Sequence, residues 1–292
     1  MQIHVVYAGD SVDSIAREYG VDVNVIIYVN QLRYPYELTI GQALLILEVD
    51  EMRNGPELVT NGYAYPFIRQ EILQETLPFL SELSVFSYGF TVNGELISPP
   101  LEEDWMILLA SSARTEAILT LTPFGEDGQF NNNLIHQMLI QNGSSENLIN
   151  HVFEKIQEKS YSGADIDFEY ALTEIPREKI TMGVPNYGYD WPLPYERGVT
   201  QARTIGCVEA VEVAVRYQSE ILYDELAQTP YFRYEENGIS HEVWFEDVRS
   251  IQAKMNLVLE KELPGIGYWR VMRLFLAGLI YMDQVFSVDK SD

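Results

Sequence analysis

Three acidic residues, Asp165, Asp167 and Glu169, occupy alternate positions near the middle of the chain. Side chains along a β-strand alternate between its two faces, so this spacing predicts a strand with all three carboxyl groups on one face. The opposite face would carry apolar residues, namely Ala164, Ile166 and Phe168. A row of neighbouring carboxyl groups can hold and release protons, which makes the segment a candidate acid–base site.

Burial would make these acids costly. A strand inside a parallel sheet is buried on both faces, and buried carboxylates need partners, shared protons or a functional cavity. Crowding also separates their pKa values, because neighbouring carboxyl groups cannot all ionise easily. Glu169, nearest the carboxyl edge of the sheet, is then the natural proton donor. Two other interpretations stay open: an edge strand with a solvated acidic face, and a site for a hard cation.

Composition excludes several classes of protein. The chain has 292 residues and a formal net charge of −25, which disfavours binding to nucleic acid or to anionic membranes. Its 47% of hydrophobic residues can form a sizeable core, and no apolar run reaches the ~18 residues of a membrane span. No classical signal peptide is expected at the amino terminus. The single cysteine, Cys207, excludes an intrachain disulfide and a cysteine zinc cluster.

Beyond residue 58, β-rich runs alternate with helical stretches. The runs predict strands at residues 59–65, 84–90, 117–122, 163–169, 180–184 and 265–269. Helices are predicted at residues 68–80, 102–113, 133–141 and 145–159. This alternation predicts an α/β fold with a parallel sheet and crossover helices. In a (β/α)8 barrel the chemistry lies at the carboxyl ends of the strands, which is where Glu169 falls.

A smaller unit precedes this region. Residues 3–7 and 42–47 predict strands, and two short helices are predicted between them. Ser11 has the chemistry of a helix N-cap, Gly20 suits a helix end, and Asp22 can cap the second helix. The expected order is therefore strand, helix, helix, strand, followed by a polar linker at 49–57.

The amino-terminal pattern resembles the LysM module. Residues 6–21 contain V-x-x-G-D-S-V-x-S-I-A-x-x-Y-G-V, and I-G-Q-A-L-L-I follows at 40–46. The resemblance implies binding of N-acetylglucosamine-containing glycans, such as peptidoglycan or chitin, between two loops. The residues implied in that contact are Gly9, Asp10, Ser11, Val12, Asn30 and Leu32. Gly9 and Asp10 also have a purely structural interpretation, as a turn and a cap.

The acidic segment resembles the D-G-x-D-x-D-x-E signature of glycoside hydrolase family 18, with Ser162 in place of the first Asp. Further stretches resemble strands of that barrel and their loops, at residues 61–65, 86–90, 175–191 and 265–269. Residues at about 215–250 resemble the small α+β insertion common in the family. A LysM module joined to such a barrel is similar to the spore cortex-lytic N-acetylglucosaminidases.

The family resemblance implies retaining hydrolysis assisted by the substrate's own acetamide. Glu169 would protonate the leaving oxygen, Asp167 would hold the acetamide N–H, and Asp165 would adjust Asp167. Trp269 would form the floor beneath the reacting sugar. Other implied sugar contacts are Tyr63, Tyr88, Asn186 and Tyr187. No cofactor and no metal are implied.

The strand count falls short of the family's barrel. Six strands are predicted where a closed barrel needs eight, and only residues 170–179 separate the strand ending at Glu169 from the next. About two β/α units are therefore expected to be missing. The predicted function is hydrolysis of spore cortex peptidoglycan, during germination, by a protein associated with the spore or cell wall. The alternative is a catalytically impaired glycan-binding protein.

The predicted organisation is a LysM domain at 1–48, the linker, and a family 18-like domain at 58–292. The expected partner is a peptidoglycan or chitin-like glycan. The oligomeric state stays open, since self-association could compensate for missing strands.

Overall fold

The computed structural model describes residues 1–48, 55–125, 128–166 and 181–290. The chain divides into two compact units. The first unit comprises Met1–Glu57, Gly183–Glu262 and Arg273–Ser287, and the parallel-sheet unit comprises Leu58–Met182, Leu263–Met272 and Val288–Asp292. The parallel-sheet unit starts where the larger domain was expected to start, whereas the first unit adds later segments to the amino-terminal ones. Most of the expected linker lies outside the described residues.

Residues 1–48, here called the N-terminal module, have the predicted order of elements. These are β1 (Gln2–Val5), α1 (Val12–Tyr19), α2 (Val23–Val29) and β2 (Ala43–Ile46). The two strands pair antiparallel, with Gln2 opposite Ile46. Apolar side chains from all four elements or their ends form one buried cluster, which includes Val6, Ile15, Ile26, Leu44 and Ile46.

Local signals begin and end the helices of this module as predicted. Ser11 and Ser14 form a reciprocal capping box, in which each side-chain oxygen accepts the other residue's backbone N–H, at 3.1 and 2.9 Å. Gly20 ends α1 in the left-handed conformation with φ +67°. Asp22 caps α2 by accepting the Asn24 N–H at 2.7 Å.

The remaining elements follow along the chain. Residues 57–166 form β3 (Glu57–Ala64), α3 (Gln70–Thr76), a 3₁₀ turn (Leu77–Phe79), β4 (Glu82–Phe90), β5 (Leu96–Ile97), α4 (Asp104–Ser112), β6 (Glu116–Leu121), α5 (Asn132–Ile140), α6 (Ser144–Lys159) and β7 (Gly163–Ile166). From residue 181 the elements are β8 (Thr181–Pro185), β9 (Tyr187–Pro192), β10 (Arg203–Gly206), α7 (Cys207–Arg216), β11 (Leu222–Asp224), β12 (Thr229–Glu236), β13 (Ile239–Trp244), α8 (Val248–Lys261), β14 (Gly265–Trp269), α9 (Leu276–Val285) and β15 (Ser287–Val288).

The parallel sheet has the strand order β7-β6-β4-β3-β14-β8. β5 adds to β4 and β15 adds to β3. All six strands predicted from the sequence are present, and β4 is buried along almost its whole length, as expected for a strand covered on both faces. Over the described residues the order ends at β7 and β8, which are consecutive along the chain. This is an α/β fold, and its described residues contribute six parallel strands where a closed barrel has eight.

A second sheet belongs to the first unit. It is antiparallel, with the order β10-β9-β13-β12-β11. Helix α7 covers one of its faces, where Ala210 and Val213 pack with Phe232 and Val243. The expected insertion at about 215–250 contains α8's start and β11–β13, and the same sheet also includes β9 and β10, which precede it in the chain. The family resemblance instead assigns residues 175–191 to a barrel strand and its loop.

Candidate active site

One face of the parallel sheet carries the residues that could do chemistry. Residues opposite one another on neighbouring strands point to the same side of a sheet. Tyr63 of β3 lies opposite Ser84 of β4, and Ser84 lies opposite Ile118 of β6. Thr120, two residues after Ile118 and therefore on the same side, lies opposite Asp165 of β7. Two residues further along β4 is Phe86, so the alternation gives it the same side as Ser84.

Aromatic rings cluster at the carboxyl end of this face. The ring centroid of Trp269 lies 5.0 Å from that of Tyr63 and 5.2 Å from that of Phe86. Tyr65 continues the cluster, 4.9 Å from Phe86 and 5.1 Å from the exposed Phe67. Of the predicted sugar contacts, the structure thus brings Trp269 and Tyr63 together. An apolar floor of this kind suits the face of a sugar ring.

Asp165 is half-buried on β7, with Ala164 and Ile166 on the opposite side, as the alternation predicted. Its Oδ2 atom is buried and has no hydrogen-bond partner among the described residues. Burial, followed by the charges of Glu116, Asp165 and Asp289, raises the pKa of Glu82 above its usual value. The prediction that both faces of this strand are buried is wrong at Ile166, which is 59% exposed.

The other two acids of the signature, Asp167 and Glu169, lie outside the described residues. Their expected positions and roles therefore stay predictions. The alternation observed over residues 164–166 is the part of the acidic strand that the structure describes.

Tyr88 has a core position instead of the expected sugar contact. Its side chain is fully buried, and its hydroxyl donates to Glu103 at 2.5 Å. Burial and the hydrogen bond to Glu103 raise its pKa. Its ring also packs edge-on against Tyr161 at 6.4 Å. The physical reason is a register shift in β4 between Val85 and Tyr88. Because this shift interrupts the alternation, Tyr88 no longer lies on the side of the sheet that carries Ser84.

The antiparallel sheet presents a second aromatic surface, on the face opposite α7. Alternate residues of β9 form a row of contacts, with Tyr187 5.5 Å from Tyr189 and Tyr189 6.0 Å from Trp191. Beside this row, Tyr231 and Trp244 stack with centroids 4.6 Å apart and planes 14° apart. We call these five residues the aromatic face; of them, Tyr187 is a sugar contact that the family resemblance implies.

A polar pair completes the aromatic face. Glu242 accepts the Trp244 indole N–H at 2.8 Å and the Arg233 Nε–H at 2.6 Å. The Trp244 hydrogen bond first, and then Arg233, lower the pKa of Glu242. Asn186, the remaining predicted contact, precedes β9 and is buried; its amide donates to the Arg273 carbonyl at 3.2 Å, while its Oδ1 has no hydrogen-bond partner among the described residues.

The residues expected to bind glycan in the N-terminal module also have structural roles. Gly9 has φ +93°, in the region that favours glycine. Asp10 accepts the Tyr7 N–H at 2.7 Å and contacts His4 at 3.1 Å, and these two interactions lower its pKa. Ser11 is the cap described above. The other three are anchored in the module: Val12 in the core, Leu32 against it, and Asn30 by bonds to the Ile26 and Leu45 backbones.

A possible cation site within the described ranges lies at Glu102, Glu103 and Asp104, whose oxygen atoms lie within 4.8 Å of one another. The Lys159 ammonium group already sits among them, 2.6 Å from Asp104 and 3.3 Å from Glu103. These residues are not those of the acidic strand. No helix in the described part of the chain is long and apolar enough to cross a membrane.

Comparison with known families matches two parts of the chain. Residues 4–46 match the LysM domain, and residues 169–273 match Glycosyl hydrolases family 18. The second match begins at Glu169, the last residue of the acidic signature. It also includes Asn186, Tyr187 and Trp269, together with the whole aromatic face.

Two relatives give complementary information. A putative sporulation-specific glycosylase, YdhD of Bacillus subtilis (strain 168), is 26% identical over 423 positions that cover 99% of this chain and 100% of the relative. Since this chain has 292 residues, YdhD has a long segment that this chain lacks. The cortical fragment-lytic enzyme of the same organism is 48% identical over 123 residues, which are 42% of this chain but 28% of that enzyme.

A solved structure has the same fold. The spore cortex-lytic enzyme SleL of Bacillus megaterium QM B1551 superposes with a TM-score of 0.92, at 23% identity, over 100% of this chain and 99% of that chain.

Proposed function

We propose that this chain, in which a LysM domain precedes a glycoside hydrolase family 18 domain, cleaves the glycan of spore cortex peptidoglycan after N-acetylglucosamine. The names of its relatives, a cortical fragment-lytic enzyme and a sporulation-specific glycosylase, support the substrate and a spore location. The observation that carries the proposal is the shared face of the parallel sheet, where Asp165 lies on the same side as Tyr63 and Trp269.

The proposed mechanism uses the substrate's acetamide as the nucleophile, one of the exceptions to the two-carboxylate scheme. The acetamide oxygen attacks the anomeric carbon while Glu169 donates its proton to the leaving glycosidic oxygen. Asp167 accepts a hydrogen bond from the acetamide N–H and stabilises the positive charge that develops on the ring formed. Glu169, now ionised, takes a proton from water, which opens that ring and completes hydrolysis with retained configuration.

Asp165 is a positioning residue in this scheme. Its buried Oδ2, without a partner among the described residues, is suited to share a proton with the neighbouring Asp167.

Trp269 supplies the floor beneath the reacting sugar, and its ring is held by a tilted contact with Tyr63 and an edge-on contact with Phe86. Burying one face of the pyranose against three rings excludes water and orients the acetamide. The aromatic face is a second surface on which sugar rings can stack, with Glu242 and Arg233 as hydrogen-bonding partners for hydroxyl groups. The N-terminal module adds glycan affinity and retains the protein on the cortex.

The direct test compares chitotetraose with its fully N-deacetylated counterpart. Chitotetraose should be cleaved, and the deacetylated oligomer should not, because without the acetyl group there is no acetamide oxygen to attack. Mass spectrometry of the products measures both reactions. Cleavage of both substrates at similar rates would contradict acetamide participation, and cleavage of neither would contradict hydrolysis itself.

A second candidate is a glycan-binding protein with impaired catalysis. The specific observation in its favour is the strand order of the parallel sheet, which ends at β7 and β8 over the described residues. That candidate predicts that the chain sediments with purified cortex and releases no reducing ends from it.

A further inference from the structure

We propose that a cavity in the first unit, between the loop after α2 and helix α7, binds an N-acetylglucosamine unit of the glycan. The cavity has a volume of about 370 Å³, within the ~300–1,000 Å³ usual for small-ligand pockets. All residues that line it belong to the first unit. The choice of ligand rests on the proposed function, since one wall is a loop of the N-terminal module. The second wall is not part of the glycan site that the LysM resemblance implies, because α7 lies far outside that module in the sequence.

The two walls are fixed to each other by hydrogen bonds. The module also packs closely against the segment after α7. At Gly41 an added Cβ would lie 1.8 Å from the Ile221 carbonyl oxygen, so only glycine fits there. Four bonds of 2.7–3.1 Å accompany this contact: Thr39 Oγ1 to Ser219 O, Ile221 N to Ile40 O, Arg249 Nη2 to Gly41 O, and Leu276 N to Gln31 Oε1. The cavity is therefore built into the unit.

Helix α7 has two apolar faces, of which one lines the cavity. Ala210, Val213 and Ala214 pack against the antiparallel sheet. Val208, Val211 and Val215 follow one another at spacings of three and four residues, and they face the cavity with Leu32 of the module. This second stripe provides an apolar surface of the kind that covers the face of a sugar ring.

A buried acceptor lies beside that stripe. Oε1 of Glu212 is buried, and Arg33 Nε lies 2.7 Å from it as an ion pair whose angle is outside hydrogen-bond geometry. The Arg33 side chain is 75% exposed, so a ligand N–H or O–H that displaces it could donate to the Glu212 carboxylate, and an acetamide N–H is such a donor. At the same cavity, Tyr34 is 85% exposed and presents its ring to solvent.

The charges of the lining favour a neutral ligand. Its acidic side chains outnumber its basic ones: Glu37, Glu212, Glu246 and Asp247 against Arg33 and Arg216. A carboxylate-bearing sugar would be repelled there, whereas N-acetylglucosamine combines neutrality, an apolar ring face and an N–H donor. Glu246 and Asp247 are paired with Lys254 and Arg249, so we expect a modest preference for the amino sugar of peptidoglycan that has no carboxylate.

The test is calorimetric titration of chitotetraose into the full chain carrying Glu169→Gln and Trp269→Ala, which suppress cleavage and stacking at the parallel sheet. Val215→Arg, which puts a long charged side chain into the cavity at a residue outside the sheet cluster, should weaken the remaining binding about tenfold or more. Its matched control is Val199→Arg, at a valine of the same unit that is 66% exposed and does not line the cavity. Circular dichroism checks that both variants fold.

Glu212→Ala is the second variant, since it removes the acceptor without inserting bulk. We expect binding about fivefold weaker, against no change for Glu220→Ala. The inference would be overturned if the starting protein does not bind chitotetraose, or if both cavity variants bind it unchanged. It would also be overturned if Val199→Arg weakens binding as much as the cavity variants do. Cleavage of chitotetraose by the unmodified chain is measured separately. If the chain does not cleave chitotetraose but the cavity variants still weaken binding as expected, only the hydrolase proposal is contradicted.

Discussion

The N-terminal module and the parallel-sheet unit reach their structures in different ways. In the module, both strands pair with each other, and residues at most a few positions away satisfy the helix ends. In the parallel sheet, each strand needs neighbours from distant parts of the chain, and the described order ends at two strands that follow one another in sequence. A short module closes on its own local signals, whereas a β/α sheet closes only when every unit is supplied.

Two isoleucines, one in each region, differ in exposure in the way that this comparison predicts. Ile15 on α1 has no exposed surface, while Ile166 on β7 is 59% exposed. Ile166 lies on the outer face of a terminal strand, where a complete barrel would add a further β/α unit. Matched substitutions in the two regions should therefore have different effects.

The largest effect on stability is expected from Ile15→Ala. Removing a fully buried side chain leaves a cavity, so the free energy of unfolding of the first unit should fall by about 3 kcal/mol. Urea unfolding followed by circular dichroism measures it. Ile166→Ala is the matched variant, and we expect a change below about 1 kcal/mol; equal losses would show that the two isoleucines have the same packing.

Trp269→Ala should reduce kcat/KM on chitotetraose about a hundredfold, equivalent to ~2.7 kcal/mol of transition-state stabilisation. The loss follows from removing the ring that packs on Tyr63 and Phe86. Trp269→Phe keeps an apolar ring and should recover most of the rate. Sedimentation with insoluble cortex, which depends on the N-terminal module, should be unchanged; a parallel loss of sedimentation would indicate that the substitution disturbs more than the floor.

Ser11→Ala should destabilise the first unit by about 1 kcal/mol, because it removes the capping box of α1. The comparison variant is Arg69→Ala, at the start of α3, where no side chain caps the helix. That change should cost less than ~0.5 kcal/mol. Thermal unfolding of both variants tests whether local capping distinguishes the two regions.

Glu82→Gln should stabilise the protein slightly at pH 7, with a rise in Tm on the order of 1–2 °C, and have less effect near pH 4. Burial and the neighbouring acids raise the pKa of Glu82, so its folded state favours the protonated form. Its favourable contribution is complete below the unfolded pKa and is lost as pH rises through the folded one. Glutamine does not ionise, so Glu82→Gln removes the loss of stability at high pH. The control Glu95→Gln, at an exposed carboxylate, should not change stability with pH in this way. A lower Tm for Glu82→Gln at pH 7 would contradict the expected direction of the effect.

Much of this architecture could be predicted from the sequence because its signals are local. The caps at Ser11 and Asp22, the left-handed Gly20 and the six parallel strands are all visible as residue types at regular spacings. The alternation of the acidic strand predicts the side of Asp165 for the same reason. The pairing of Trp269 with Tyr63 came from the family resemblance, which named both as sugar contacts.

Other features depend on contacts that no local pattern encodes. The core position of Tyr88 results from a register shift in β4, which sequence spacing does not reveal. The aromatic face joins β9 with β12 and β13, so Tyr231 and Trp244 become neighbours of the β9 row through strand pairing alone. Likewise, the two apolar faces of α7 are visible in its sequence, but the partner of the second face is not.

We propose that this chain hydrolyses cortex glycan with Glu169 as its acid and base. The most direct measurement is the release of new reducing ends from purified spore cortex fragments by the unmodified chain and by Glu169→Gln, with Glu174→Gln as a control for a nearby acid. We predict steady release by the unmodified chain and by Glu174→Gln, and a rate lower by at least about a thousandfold for Glu169→Gln. Equal release by Glu169→Gln, or none by the unmodified chain, would contradict the claim.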